Sequence, residues 1–257
     1  MPELVIQGKT VPFHAALFDK DGTLLDFMAL WGQWAEVLTR LVESHLSLLG
    51  GKLLGEPSKL LGLSFGLDGR AADYDRRGPL AMASEEQTIA VLAWQLYAAA
   101  GMAWNEALLQ VRQFAKSAMQ TVREEKNAVP MPGLLSLLQT CKRLGIPLGV
   151  VTADRTSEAA DHLAWLGISA FFSTVVGHDR VSLGKPDPQM LELACSELGV
   201  APGQVLMIGD TDGDMQMGRQ GGAALSVGYA PDGDSGHLIH ADFIIHHYAD
   251  LEAAIRT

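Results

Sequence analysis

Cysteine is nearly absent: Cys141 and Cys195 are the two in 257 residues, far apart and set in helix-like stretches with Leu and Ala. Without a CxxC pair or a Cys/His cluster, neither a disulfide framework nor a zinc site is expected, and both thiols read as reduced core residues. Positive charge is scarce as well. The 19 Lys and Arg against 30 Asp and Glu leave a formal charge of -11, which argues against a partner that is nucleic acid or an anionic membrane. An anionic small molecule would have to be gathered locally, by a few basic groups or a metal. No apolar run approaches the roughly 20 residues that cross a bilayer. The opening MPELVIQGKTVPF lacks the basic start and apolar stretch of a secretory signal, so a cytoplasmic location is expected. The eight histidines form no HExxH or similar pattern, and none is assigned to a metal. What remains, with 48% hydrophobic residues, is a globular chain long enough to carry its own core.

Short apolar runs with β-branched character recur at 146–152, 173–177, 205–209, 224–227 and 243–246, and 15–19 looks like one more. Between them lie amphipathic stretches of helical length at 156–166, 188–198 and 214–220, each followed by a Gly. This alternation predicts βαβ units, and hence an α/β fold with a parallel sheet. Residues 26–128 differ in character. They hold Leu-, Ala- and Trp-rich helical patterns at 27–49, 85–99 and 104–125, with 50–79 read as loops and short helices and no strand-like run. The domain expectation is therefore a core made of 1–25 and 129–257, with an inserted helical domain at 26–128. The turn PMPG at 130–133 marks the return.

The carboxylates carry the chemistry. In FDKDGTLLD, Asp19 ends a predicted buried strand and Asp21 follows two residues on, at the strand end where open α/β sheets bind ligands. Groups at i and i+2 of such a turn can approach one centre, and hard oxygen donors suit magnesium rather than zinc. VLMIGDTDGDM repeats the arrangement with Asp210, Asp212 and Asp214. A calcium-binding EF-hand is excluded, because the acidic turn follows a strand and position 12 from Asp210 is Gly221, not Glu. VVTAD puts Thr152 at a strand end as a hydroxyl donor, and GKPDP puts Lys185 in a fixed turn as a point charge.

With these four segments in this order, the chain resembles the haloacid dehalogenase superfamily in its phosphatase branch, and looks most like phosphoglycolate phosphatases and their relatives. DKDGT matches the DxDGT motif, GDTDGD matches GDxxxD, and the strand ending at Thr152 and the Lys185 turn match the two motifs between. The resemblance implies a Rossmann-like parallel-sheet core with an inserted α-helical cap whose closure expels water. It further implies a Mg2+-dependent phosphatase that hydrolyses a small-molecule phosphate monoester, phosphoglycolate or a sugar phosphate among the candidates, through an aspartyl-phosphate. Carried over by residue, Asp19 is nucleophile and metal ligand. Asp21 gives its carbonyl to the metal and its carboxyl to acid/base work. Thr152 and the Ala153 amide hold phosphoryl oxygens, Lys185 offsets their charge, Asp210 completes the metal site and Asp214 supports it. Ala153 and Asp154 depart from the Asn and basic residue that relatives often carry. A phosphomutase of the same chemistry and a non-enzymatic phospho-accepting domain are the alternatives, and the chain is expected as a monomer or homodimer. Trp31 and Trp34 are read as core packing, and Arg70, Arg76 and Arg77 as a solvated basic face.

Overall fold

The computed structural model describes residues 2–6, 9–67 and 69–256. In chain order its strands are β1 (Glu3–Ile6), β2 (Lys9–Pro12), β3 (Ala15–Phe18), β4 (Leu63–Phe65), β5 (Ala71–Tyr74), β6 (Leu148–Thr152), β7 (Thr174–Gly177), β8 (Val205–Gly209), β9 (Leu225–Tyr229), β10 (Phe243–Ile245) and β11 (Ile255–Arg256). Its α-helices are α1 (Gln33–Leu48), α2 (Pro57–Leu61), α3 (Pro79–Met82), α4 (Glu85–Ala100), α5 (Trp104–Glu125), α6 (Leu134–Arg143), α7 (Thr156–Trp165), α8 (Gln189–Leu198), α9 (Asp212–Gln220) and α10 (Tyr248–Ala254). The chain divides into two compact units, one of residues 1–26 and 128–257 and the other of residues 27–127.

The first unit is an α/β layer structure on a parallel six-stranded sheet of order β10-β9-β8-β3-β6-β7. Period-two alternation explains how a sheet with such apolar strands is covered on both sides. Ala16 and Phe18 of β3, Leu148 and Val150 of β6, and Leu206 and Ile208 of β8 share one core, closed by Leu134, Leu137 and Leu138 of α6, Leu163 of α7 and Leu251 of α10. Ala15 and Leu17 of β3, Val151 of β6, and Val205 and Met207 of β8 face the other core, with Met190, Leu191 and Ala194 of α8 and Met217 of α9. Both cysteines are free and buried, Cys141 in the first core and Cys195 in the second.

Strand β3 is the pivot. It pairs in parallel with β8 on one side, Phe18 opposite Ile208, and with β6 on the other, Phe18 opposite Val150. The chain leaves β3, builds β6 and β7 outward, and returns to lay β8 against the opposite edge of β3. Such a reversal opens a crevice at the carboxyl ends of the strands. A smaller antiparallel sheet joins the chain's ends, with β1 between β2 and β11.

The second unit packs α1, α4 and α5 together. Trp34 of α1 is buried and donates its indole N–H to the Ala115 carbonyl at 3.4 Å, and Trp31 meets it edge-on with ring centroids 5.4 Å apart. Ser84 and Gln87 form a capping box at the start of α4, and Gly101 ends it at φ +69°, where a side chain would be strained. One expectation fails here: β4 and β5 form an antiparallel pair inside the stretch read as loops and short helices. Leu63-Ser-Phe and Ala71-Ala-Asp-Tyr carry little β-branched character. They are held by pairing across a turn and by the Glu36 carboxylate, which accepts from the Ala71 N–H. Arg76 and Arg77 sit beside this pair, on Asp73 at 3.2 Å and Asp75 at 3.7 Å, respectively.

Candidate active site

Asp19 is the first residue beyond β3, and its N–H continues the ladder by donating to the Ile208 carbonyl of β8 at 2.8 Å. Asp210 is the first residue beyond β8. Because the two strands are adjacent and in register, the two carboxylates leave the sheet side by side. Gly22 makes this approach possible: at φ +77° it turns the chain back, and a Cβ there would lie 2.1 Å from Asp210 Oδ2. Thr23 Oγ1 donates to Asp210 Oδ1 at 3.0 Å, and the carbonyl of Thr23 accepts from the buried Tyr248 hydroxyl at 2.6 Å.

Asp214 is placed by the start of α9. Thr211 is the N-cap; its N–H and hydroxyl both donate to Asp214 Oδ2, at 3.1 and 2.6 Å, while its side chain accepts from the Asp214 N–H. This reciprocal capping box pins a fully buried carboxylate beneath Gly209, where a Cβ would stand 2.5 Å from that of Asp214. Lys185 closes the group, its ammonium against Asp19 Oδ1 and 2.6 Å from Asp214 Oδ1. Carboxylate oxygens of Asp19, Asp210 and Asp214 all lie within 4.8 Å of one another.

Three buried carboxylates against one ammonium leave an excess of negative charge, and the electrostatics register it. Burial pushes Asp19 up to about 7, with Lys185 opposing and Asp214 and Asp21 adding to the rise. Burial, then Asp19 and Asp214, hold Asp210 well above the usual carboxylate range. Lys185 is held above the ordinary lysine value by Asp19 and Asp214 in spite of its burial. A hard divalent cation fits this donor set: all-oxygen ligands, converging, and short of positive charge.

The other residues singled out from sequence fall nearby but differently. Thr152 ends β6, next to β3, fully buried, its hydroxyl accepting from the Asp154 N–H at 3.2 Å; Ala153 follows it and is exposed. The carboxyl of Asp21 lies outside the Asp19, Asp210 and Asp214 group and goes to Lys20 Nζ, at 2.5 Å. Asp212, which the sequence grouped with Asp210 and Asp214, turns away to His240 Nδ1 at 2.7 Å and Gln216 at 2.8 Å.

Sequence reasoning missed four participants. Lys20 is fully buried and also pairs with Asp154 at 3.0 Å; His162 of α7 is 1% exposed, with Nδ1 3.5 Å from the same Asp154 oxygen. Burial works against the charge of Asp154, yet Lys20 and His162 carry its pKa down to about 2. Thr23 and His237, whose Nε2 meets the Asp210 carbonyl at 2.8 Å, complete the set. The one available signal was a lysine between two aspartates at the end of a buried strand.

The chain is 37% identical over 125 residues to an N-acetylmuramic acid 6-phosphate phosphatase of Pseudomonas aeruginosa, covering 48% of this chain and 55% of that protein. It is 34% identical over 134 residues to a phosphoglycolate phosphatase of Escherichia coli, covering 51% and 53%. The chain thus spans about half the length of the curated relatives it matches. A predicted phosphoglycolate phosphatase from Haemophilus somnus has the same fold, with a TM-score of 0.65 over 93% of this chain and 96% of that one at 20% identity. The model of the haloacid dehalogenase-like hydrolases matches residues 13–222, from before β3 to the end of α9, and the chain belongs to that family.

Proposed function

We propose that this chain is a magnesium-dependent phosphatase acting on a small phosphate monoester, with Asp19 as the nucleophile. The observation that carries the reading is the convergence of Asp19, Asp210, Asp214 and Lys185 at the carboxyl ends of β3 and β8, with Thr152 on the neighbouring strand. An Asp19 oxygen attacks phosphorus, the bond from phosphorus to the ester oxygen breaks, and the Asp21 carboxyl gives its proton to the departing oxygen, releasing the alcohol. Water then attacks the aspartyl-phosphate, Asp21 takes its proton, the bond from phosphorus to Asp19 breaks, and inorganic phosphate leaves. Splitting the hydrolysis this way replaces one difficult displacement by two easier ones.

Thr152 and the Ala153 amide would orient the phosphoryl oxygens and Lys185 would balance their charge, which is most of what phosphoryl transfer asks of a protein. Asp19, Asp210 and the Asp21 carbonyl would hold a magnesium ion, with Asp214 in support. That ion would supply Lewis-acid stabilisation of charge on the phosphoryl group. On this reading the helical unit is the family's cap, inserted between the Asp21 turn and the return at Pro130.

The test is phosphate release from p-nitrophenyl phosphate and a panel of metabolite esters, phosphoglycolate and amino-sugar phosphates included, with magnesium or EDTA. The reading requires activity that depends on magnesium and is lost in Asp19→Asn. Full activity in that variant, or none in the wild type on any ester, would sink it. Conversion of one phosphate ester to another without net phosphate release would replace it by a phosphomutase.

A further inference from the structure

We propose that Lys20, Asp154 and His162 are positioning residues that hold the Asp21 carboxyl in place for proton transfer to the leaving group. The inference rests on the hydrolase reading above and adds to it the device that aims its acid.

Lys20 lies in the turn just after β3, between Asp19 and Asp21. Its side chain is 0% exposed, and an ammonium enclosed this way is tolerated only with carboxylates in reach. Asp21 Oδ1 lies at 2.5 Å and Asp154 Oδ2 at 3.0 Å. Asp154 is itself held rigidly. Its N–H donates to Thr152 Oγ1, its carbonyl accepts from the His178 N–H at 3.0 Å, and its side chain meets His162 Nδ1 at 3.5 Å. His162 is seated against Trp165, ring centroids 4.9 Å apart, on α7. The result is a buried line of groups from a helix, through the loop after β6, to the turn after β3. Lysine and imidazole are enclosed, while the two carboxylates reach the surface of the unit with 16% and 14% exposure.

A buried ion pair is a poor stabilising device, since apolar residues of similar volume often serve as well or better. What such a line does supply is direction. Rotation of the Asp21 side chain would cost the Lys20 contact, and movement of Lys20 would cost Asp154. General acid catalysis is the function that most needs a fixed carboxyl, and it matters in proportion to how poor the leaving group is.

That proportion gives the test. Take kcat/KM, which reports the step in which the ester bond breaks, for p-nitrophenyl phosphate and for the alkyl phosphate the wild type cleaves fastest. The aryl leaving group departs without a proton and the alkyl one does not. In Lys20→Met the alkyl value should fall about 30-fold and the aryl value about threefold, given that a positioned acid contributes on the order of 10²–10⁴. Because Lys20→Met leaves Asp154 without its ammonium, Lys20→Met/Asp154→Leu is measured beside it. This pair removes both charges, should unfold as cooperatively as the wild type, and should show the same selective loss. Equal losses on the two esters, or a double variant with the wild-type ratio, would make the network structural and overturn the inference. So would a wild type that cleaves only the aryl ester. A wild type that cleaves neither would instead overturn the hydrolase reading and this inference with it.

Discussion

Two buried charge clusters flank the end of β3, and they are built on opposite plans. Among the described residues, Asp19 and Asp214 meet the Lys185 ammonium with Asp210 beside them, whereas Asp21 and Asp154 share the Lys20 ammonium and Asp154 also lies 3.5 Å from the His162 imidazole. Burial lifts Asp19 to about 7 in the first, but Asp154 falls to about 2 in the second. The same desolvation acts on both: in the second cluster it still holds Asp21 above its ordinary value in spite of the Lys20 contact, and only Asp154, beside both Lys20 and His162, is carried down. An unbalanced cluster is poised to take up a cation and a substrate. The other gives both of its carboxylates to Lys20, and on the inference above its use is to stay where it is.

The comparison can be broken most severely at the nucleophile. Asp19→Asn keeps the size of the side chain and removes its charge, and phosphate release should fall by about 10⁴-fold or more. Lys185→Met removes the one positive group of the first cluster; a loss of about 10²–10³ in kcat is expected, the scale of deleting one preorganised charge-stabilising contact. Both are measured by the same phosphate assay.

The metal sharpens the contrast further. Magnesium at 100 times its dissociation constant should stabilise the wild type by about 2.7 kcal/mol, seen as a rise in Tm, because only the folded chain presents the converging carboxylates. Asp210→Asn should lose that rise. Without magnesium the variant should melt above the wild type, since it no longer buries a repelled carboxylate; a lower Tm would refute the view that this cluster is strained without its cation. Asp154, which is not among the groups that would hold the metal, should respond to acid instead. Asp154 has a folded-state pKa below its ordinary 3.8, so its contribution is present above about pH 4 and is lost as pH falls through about 2. The difference in unfolding free energy between wild type and Asp154→Asn should accordingly shrink by about 2 kcal/mol between pH 5 and pH 2. Urea unfolding at several pH values measures it, and a gap that does not change with pH would contradict the pairing.

Much of this is legible in the sequence. The parallel-sheet strands at 205–209 and 148–152 announce themselves because strands buried on both faces are continuous apolar runs. Asp19 and Asp210 stand out because a carboxylate directly after such a run has to be explained. The hairpin of β4 and β5 was not legible, since its residues have weak strand preference and are held by their partners. Nor was the sheet of β1, β2 and β11, in which Leu4 pairs with Ile255 from the far end of the chain. Asp212 shares the acidic turn with Asp210 and Asp214, yet the first turn of α9 carries it toward His240.

What the sequence determined by itself is whatever depends on neighbours along the chain: the strand ends, the acidic turns, the family to which their order belongs. What only the tertiary structure decided is the company those groups keep. In the sequence Lys20 is a lysine between two aspartates and His162 one of eight histidines; the parallel pairing of β3 and β6 leaves Asp154 3.0 Å from Lys20, and α7 sets His162 Nδ1 3.5 Å from the same oxygen. Burial converts a charge from a solvated detail into a constraint, and burial is a property of the whole fold, set by residues that no local spacing connects.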